Sequence, residues 1–168
     1  MDDGSMTLII ALVFLVACSA FFSASETAFS SLNQIRLKSR AEDGDASAAR
    51  VLAMAEKYDK LLSTILIGNN IVNIAAASIG TILFTRALGA ERGATMSTIV
   101  LTIVVLIFGE VTPKSLAKEM PETVATAVSP MLNLLMVLFT PLTWLFSQWK
   151  RLLGHFVHST EEDTITEG

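Results

Sequence analysis

Three apolar runs, at about residues 8–29, 61–83 and 95–111, dominate this chain. Each approaches the roughly 20 residues that a helix needs to cross the hydrocarbon of a bilayer. Lipid offers a backbone no water to bond to, so such runs must close their hydrogen bonds internally, as helices. The fold class expected is an all-α membrane protein: three transmembrane helices per protomer plus juxtamembrane and re-entrant amphipathic helices. Charged residues make up only 17% of the chain and are segregated. They sit at the N-terminal tip, in residues 34–60, in residues 110–122 and in the tail from Lys150. The few basic residues flank apolar segments and form no nucleic-acid surface. The single cysteine, Cys18, lies in the first run, which excludes an internal disulfide or a Cys-based metal site.

Orientation follows from Lys and Arg. Six of the twelve, Arg36, Lys38, Arg40, Arg50, Lys57 and Lys60, lie between the first and second runs. Only Arg86 and Arg92 lie between the second and third. The positive-inside rule therefore predicts residues 31–60 and the C-terminus in the cytoplasm and the N-terminus outside, in the plasma (inner) membrane. No basic residue precedes the first run, which does not read as a cleaved leader. The 31–60 connection reads as helical from Ala41 to Tyr58, with Gly44 as a break and Asp43 or Asp45 as a cap. Val51, Leu52, Met54 and Ala55 give it an apolar face that suits a helix packed under the bundle.

A fourth apolar stretch, residues 124–153, holds Pro130 and Pro141 and ends in Trp144, Trp149, Lys150 and Arg151. A full crossing would put the two terminal cations outside, against the charge bias. Pro141 also divides it into pieces of about 10 residues, each too short to span. The expectation is an interfacial helical hairpin with tryptophans at headgroup level, a true fourth span being the alternative. The transmembrane domain thus covers residues 1–153. Residues 154–168 read as an acidic linker.

Within the runs, polar residues gather in three places. Ser19, Ser23, Glu26 and Ser30 are spaced four, three and four apart, on one helix face. Asn69, Asn70 and Asn73 follow Gly68 in the second run, and Gly109-Glu110-Val111-Thr112-Pro113-Lys114 closes the third. Proline has no N–H and clashes with the carbonyl four residues earlier, so Pro113 should free the Gly109 carbonyl. An unpaired carbonyl beside a carboxylate, with hydroxyls and amides on neighbouring helices, makes an all-oxygen site suited to Mg²⁺, Ca²⁺ or Na⁺. Each cluster also has a plain explanation. Serines bond their own helix carbonyls, asparagines glue helices, and Glu110 pairs with Lys114 one turn on. Their conjunction favours a buried polar site. Ala76 and Gly80 form a small-xxx-small surface, and three helices enclose little alone, so a homodimer is expected.

Phe21-Phe22-Ser23-Ala24-Ser25-Glu26-Thr27-Ala28-Phe29, Leu66-Ile67-Gly68-Asn69-Asn70-Ile71-Val72-Asn73 and Phe108-Gly109-Glu110-Val111-Thr112-Pro113-Lys114 occur in order, one per run. In this the chain resembles the membrane domain of the CorC/CNNM (cyclin M) family of Mg²⁺ transporters. The resemblance implies a dimer of three-helix protomers with a juxtamembrane belt, and Mg²⁺ efflux coupled to Na⁺ entry. It implies cytoplasmic regulatory domains of the cystathionine-β-synthase type after the tail. By the same resemblance the cation ligands are Ser19, Ser23, Ser25, Asn70, Asn73, the Gly109 carbonyl and Glu110, Ser19 resting more on helix spacing than on the motif. The competing expectation is a membrane anchor and dimeriser for a cytoplasmic sensor. An intramembrane enzyme is not expected, since no Ser–His, Asp-pair or His-Glu zinc pattern lies within the runs.

Overall fold

The computed structural model describes residues 3–165, with side chains described as far as residue 158. Helix α1 covers Asp3–Ser30, α2 Gln34–Glu42, α3 Ala46–Glu56 and α4 Tyr58–Leu88. Helix α5, Ala90–Val104, runs through a π-helical segment, Val105–Val111, into α6, Thr112–Glu119. Helix α7 covers Pro121–Leu138 and α8 Thr140–Ile165. Among the described residues there is no strand, as expected for an all-α membrane protein.

Three helices are far longer than a bilayer core requires: α1 at 28 residues, α4 at 31 and Ala90–Glu119 at 30. The third does not stop at Val111, as the apolar pattern suggests, but passes through Pro113 into polar residues. Each buries only part of its surface. The remaining faces carry exposed Ile10, Val13, Phe14, Ile74, Ile99 and Ile103, an apolar exterior that suits lipid and not water.

Burial concentrates at one end of the bundle. There Phe22, Ala28 and Phe29 of α1 meet Leu61 and Ile65 of α4. Leu37, Val51 and Met54 of the belt, Ala117 of α6 and Leu132 and Met136 of α7 complete the same cluster. Phe22 lies over Gly68, where a Cβ would run into its ring, and packs edge-on against Phe21 with centroids 5.3 Å apart. Gly68 is thus what lets α1 and α4 touch.

The 31–60 connection is a two-helix belt, divided where the sequence predicts. Gly44 takes φ +94°, and Asp45 caps α3 by accepting from the N–H groups of Ser47 at 3.0 Å and Ala48 at 3.1 Å. Asn33 caps α2 in the same way from Arg36. The expected apolar face is present: Val51, Met54 and Ala55 are buried and Leu52 partly so. Helix α2 is an addition to the expected layout. Its polar sequence offers one apolar anchor, Leu37, which is fully buried.

The fourth apolar stretch departs from expectation. Its break falls at Phe139, between α7 and α8, and not at Pro141, which begins α8 within its first turn. Pro130 is carried inside α7. The pieces are 18 and 26 residues rather than about 10 each, so α7 is long enough to cross a membrane by length and composition. Both of its ends nonetheless meet the belt. Glu122 pairs with Arg40 at 3.1 Å and Arg36 at 3.6 Å, while Asn133 and Met136 line a hollow of about 180 Å³ with Arg50, Met54, Lys57 and Lys60. The expected linker, residues 154–168, is helical as far as Ile165, and the rest lies outside the described residues.

Two outcomes are expected of this packing. Gly68→Ala should lower the melting temperature in detergent, corresponding to about 1–3 kcal/mol of overpacking against Phe22. Asp45 is held below the usual carboxylate range by the Ala48 and Ser47 amides and by Arg40. A depressed folded pKa contributes stability that is fully present above the unfolded value near ~4 and lost as pH falls through the folded one. The hydrogen-exchange protection factors of the Ser47 and Ala48 amides, corrected for the intrinsic rate at each pH, should therefore fall on acidification below about pH 4, and at neutral pH in Asp45→Ala.

Candidate cation site

The polar face of α1 is turned inward, since Ser19 and Ser23 are each 1% exposed. Across from Ser19 stand Asn69 of α4 and the π-helical segment of the third long helix. Ser19 Oγ donates to Asn69 Oδ1 at 3.3 Å, and Asn69 Nδ2 donates to Glu110 Oε1 at 3.5 Å. Lys114 Nζ lies 3.3 Å from Glu110 Oε2 and 3.5 Å from Glu26 Oε2. Ser19, Asn69, Glu110, Lys114 and Glu26 thus form a polar circuit that leaves α1, crosses α4, the π segment and α6, and returns to α1 two turns further on.

Two buried side-chain oxygens among the described residues have no hydrogen-bond partner, and both belong to these clusters. One is Ser23 Oγ, on the α1 face between Ser19 and Glu26; the other is Asn73 Oδ1, one turn along α4 from Asn69. A buried polar atom without a partner costs about 1–3 kcal/mol and is rare enough to need a reason. An oxygen reserved for a cation is such a reason.

The π winding supplies a further oxygen. Thr112 N–H bonds the carbonyl of Ile107, five residues back. Helix α6 then opens with Val111 as N-cap. Pro113 has no N–H, so the carbonyl that would pair with it lacks that donor: Phe108 in the π register, Gly109 in the α register. Gly109 packs directly on α1, where a Cβ would sit 3.0 Å from Ser19 Oγ. A side chain there would push the π segment off Ser19.

The structure thus groups Ser19, Gly109 and Glu110 around Asn69. It places Ser23 and Asn73 on the same inward faces. Ser25 is fully buried, but its hydroxyl donates to Phe21 O at 2.6 Å within its own helix. Asn70 is exposed and donates to Leu66 O at 2.9 Å. Neither joins the circuit. Glu26, Asn69 and Lys114, not among the candidate ligands, do. The spacing of Glu26 from Ser23 and the four-residue step from Glu110 to Lys114 are the sequence signals for them.

No group of three His, Cys, Asp or Glu side chains occurs among the described residues, so a cation here would rely on two carboxylates and on neutral oxygens. From Asn73 and Val105 a groove of about 270 Å³ leads along α4 and α5 past Thr81, Ser97, Thr98 and Thr102. Its hydroxyls lie on the side of the site away from the belt.

A half-buried polar circuit between long apolar helices defines a polar site inside a membrane domain, and sequence comparison identifies the class. The profile of the cyclin M transmembrane N-terminal domain matches residues 10–168. The chain belongs to that family. It is 47% identical over 150 residues to the UPF0053 inner membrane protein YfjD of Escherichia coli K12, covering 89% of this chain and 35% of that protein. It is 40% identical over 151 residues to a UPF0053 protein of Haemophilus influenzae, covering 90% of this chain and 36% of the relative. The polyamine export protein of Escherichia coli K12 is 32% identical over 151 residues, covering 83% of this chain and 34% of the relative. The chain spans about a third of the length of these curated relatives.

Ser23→Ala separates a structural serine from a ligand. It removes a buried hydroxyl that has no partner, so the cation-free protein should melt at the same temperature or be more stable by up to about 1 kcal/mol. The thermal stabilisation conferred by a bound cation should shrink in the same variant.

Proposed function

We propose that this chain is the membrane part of a cation exporter whose cargo is Mg²⁺, moved outward in exchange for Na⁺. The observation that carries the proposal is the pair of buried, unpartnered oxygens, Ser23 Oγ and Asn73 Oδ1, each one helical turn from the Ser19–Asn69 contact that leads to Glu110. Hydroxyl, amide, carbonyl and carboxylate oxygens suit a hard cation. Mg²⁺ would exchange part of its tightly held water for them in a compact shell of about 2.0–2.1 Å. Na⁺ competes for the same donors, which would couple the two gradients through shared oxygens. The π turn beside Pro113 is where the helix bends most easily, and rearrangement there would open the site toward the hydroxyl-lined groove.

A second cargo class has support of its own. The Lys114 ammonium already rests between two carboxylates, and some relatives are named polyamine export proteins. An alkylammonium therefore suits the chemistry of the site. In either case the chain would sit in the inner membrane, as the name of YfjD states for that protein, with the N-terminus outside and the C-terminus cytoplasmic. Helix α7 would lie in the cytoplasmic interface beside the belt, since its two ends meet polar α2 and α3. A homodimer would close the exposed faces of the long helices, and regulatory domains would follow α8.

Proteoliposomes holding the chain and an entrapped Mg²⁺ dye test the proposal. Flux that depends on a Na⁺ gradient and falls at least tenfold in Glu110→Gln is expected, the carboxylate being a direct ligand. Spermidine flux with no Mg²⁺ flux would move the assignment to polyamines. Binding without any flux would leave a membrane anchor for a cytoplasmic sensor.

A further inference from the structure

The site contains two carboxylates and one ammonium, and the ammonium is tethered. Lys114 Nζ stands 3.3 Å from Glu110 and 3.5 Å from Glu26, on the carboxylate side of the oxygen circuit. We propose that Lys114 is a built-in occupant of the cation site, which an incoming cation must displace and which helps to expel that cation afterwards. This rests on the cation-site reading above and adds a specific residue and step to it.

Charge counting supports it. With Lys114 in place, the Glu26 and Glu110 pair carries a net charge of minus one, poor compensation for a divalent ion. With Lys114 swung away, the same carboxylates carry minus two and match a divalent cation in full. Without any cation, two carboxylates facing one ammonium-sized space would repel each other in a setting of low dielectric. Lys114 prevents that repulsion while the site waits. Its side chain has room to leave, being 41% exposed, whereas Glu110 is only 25% exposed and is held by Asn69. Its stem is flexible and its head is a compact point charge, so retraction breaks no bidentate fork. Binding is then an exchange of cations at fixed carboxylates. Because the competitor is attached to the chain, its effective concentration is high and constant, which weakens affinity at the binding step and speeds release.

Removal of the tether should therefore tighten binding, whereas loss of a purely structural ion pair would weaken it. Titration calorimetry with MgCl₂ on the whole chain in detergent should show Lys114→Gln binding about tenfold or more tighter than wild type, the size expected for one displaced charge at a half-exposed site. Lys114→Arg, whose planar fork can hold both carboxylates at once, should bind more weakly than wild type. An independent measurement needs no variant. Reductive methylation of wild-type Lys114, followed by mass spectrometry, should accelerate when saturating Mg²⁺ drives the ammonium into solvent. Equal or weaker binding by Lys114→Gln, or Mg²⁺ protection of Lys114 from methylation, overturns the tether. If Glu110→Gln abolishes Mg²⁺ binding in the same series, the site reading survives that outcome. Wild-type chain that releases no heat with Mg²⁺ overturns the site reading and the tether together.

Discussion

One buried face of one helix organises this molecule. The stripe of α1 bearing Ser19, Ser23 and Glu26 cannot face hydrocarbon without leaving its oxygens unsatisfied, so it must face protein. Helix α4 and the π-helical segment meet it on the inner side with Asn69, Glu110 and a glycine at each close approach. Gly68 admits the Phe22 ring, and Gly109 admits Ser19. Toward the end of α1, Phe22, Ala28 and Phe29 bury other faces of the same helix and fasten the belt and α7 there. The site and the core therefore share one helix, on different faces of it.

That arrangement explains where the fold is dense and where it is thin. Below the site, toward α2 and α3, burial is continuous from Phe22 to Met136. Above it, α4 and α5 are joined by a turn at Gly89, with φ +84°, and leave a hydroxyl-lined groove between them. The firm end carries charged latches such as Arg40 with Asp45 and Glu122. The other end carries threonines whose hydroxyls bond their own helices, as Thr98 does to Ala94 and Thr102 to Thr98. Glycines bring α4 and α5 together there, Gly80 against Leu101 and Gly93 against the Thr85 backbone.

Much of this is legible in the sequence because the signals are long or chemically costly. Runs near 20 residues fix membrane helices, and Asp45 after Gly44 marks the start of α3. Ser19, Ser23 and Glu26 share a face by arithmetic. The features that escape a sequence reading depend on contacts between segments. Asn69, Asn70 and Asn73 lie within five residues, and only the seating of α4 turns Asn69 to Glu110 while Asn70 faces out. Pro113 correctly marks a disturbed backbone, but its consequence depends on the local winding. An α-helical count implicates the Gly109 carbonyl, while the π count moves the missing bond to Phe108. Prolines also misplace the break between α7 and α8, because a proline in a first helical turn costs little. Helix α2 has too few apolar residues to announce itself; Leu37 and the ion pairs of Arg36 and Arg40 hold it down.

The π turn also means that the third long helix contains slack. It holds one residue more than an α-helix of the same length of axis, and that surplus can be handed from turn to turn like a ruck in a carpet. Each transfer by one position would rotate the residues it passes by about 100° relative to the rest. Toward α6 the ruck is blocked, because Ala117 is fully buried in the core and rotation would lift it out. Toward α5 it meets Leu101, which is buried against Gly80 of α4. The surplus residue is thus held between two buried positions, and the register of Gly109 and Glu110 is set by packing on either side of the π turn.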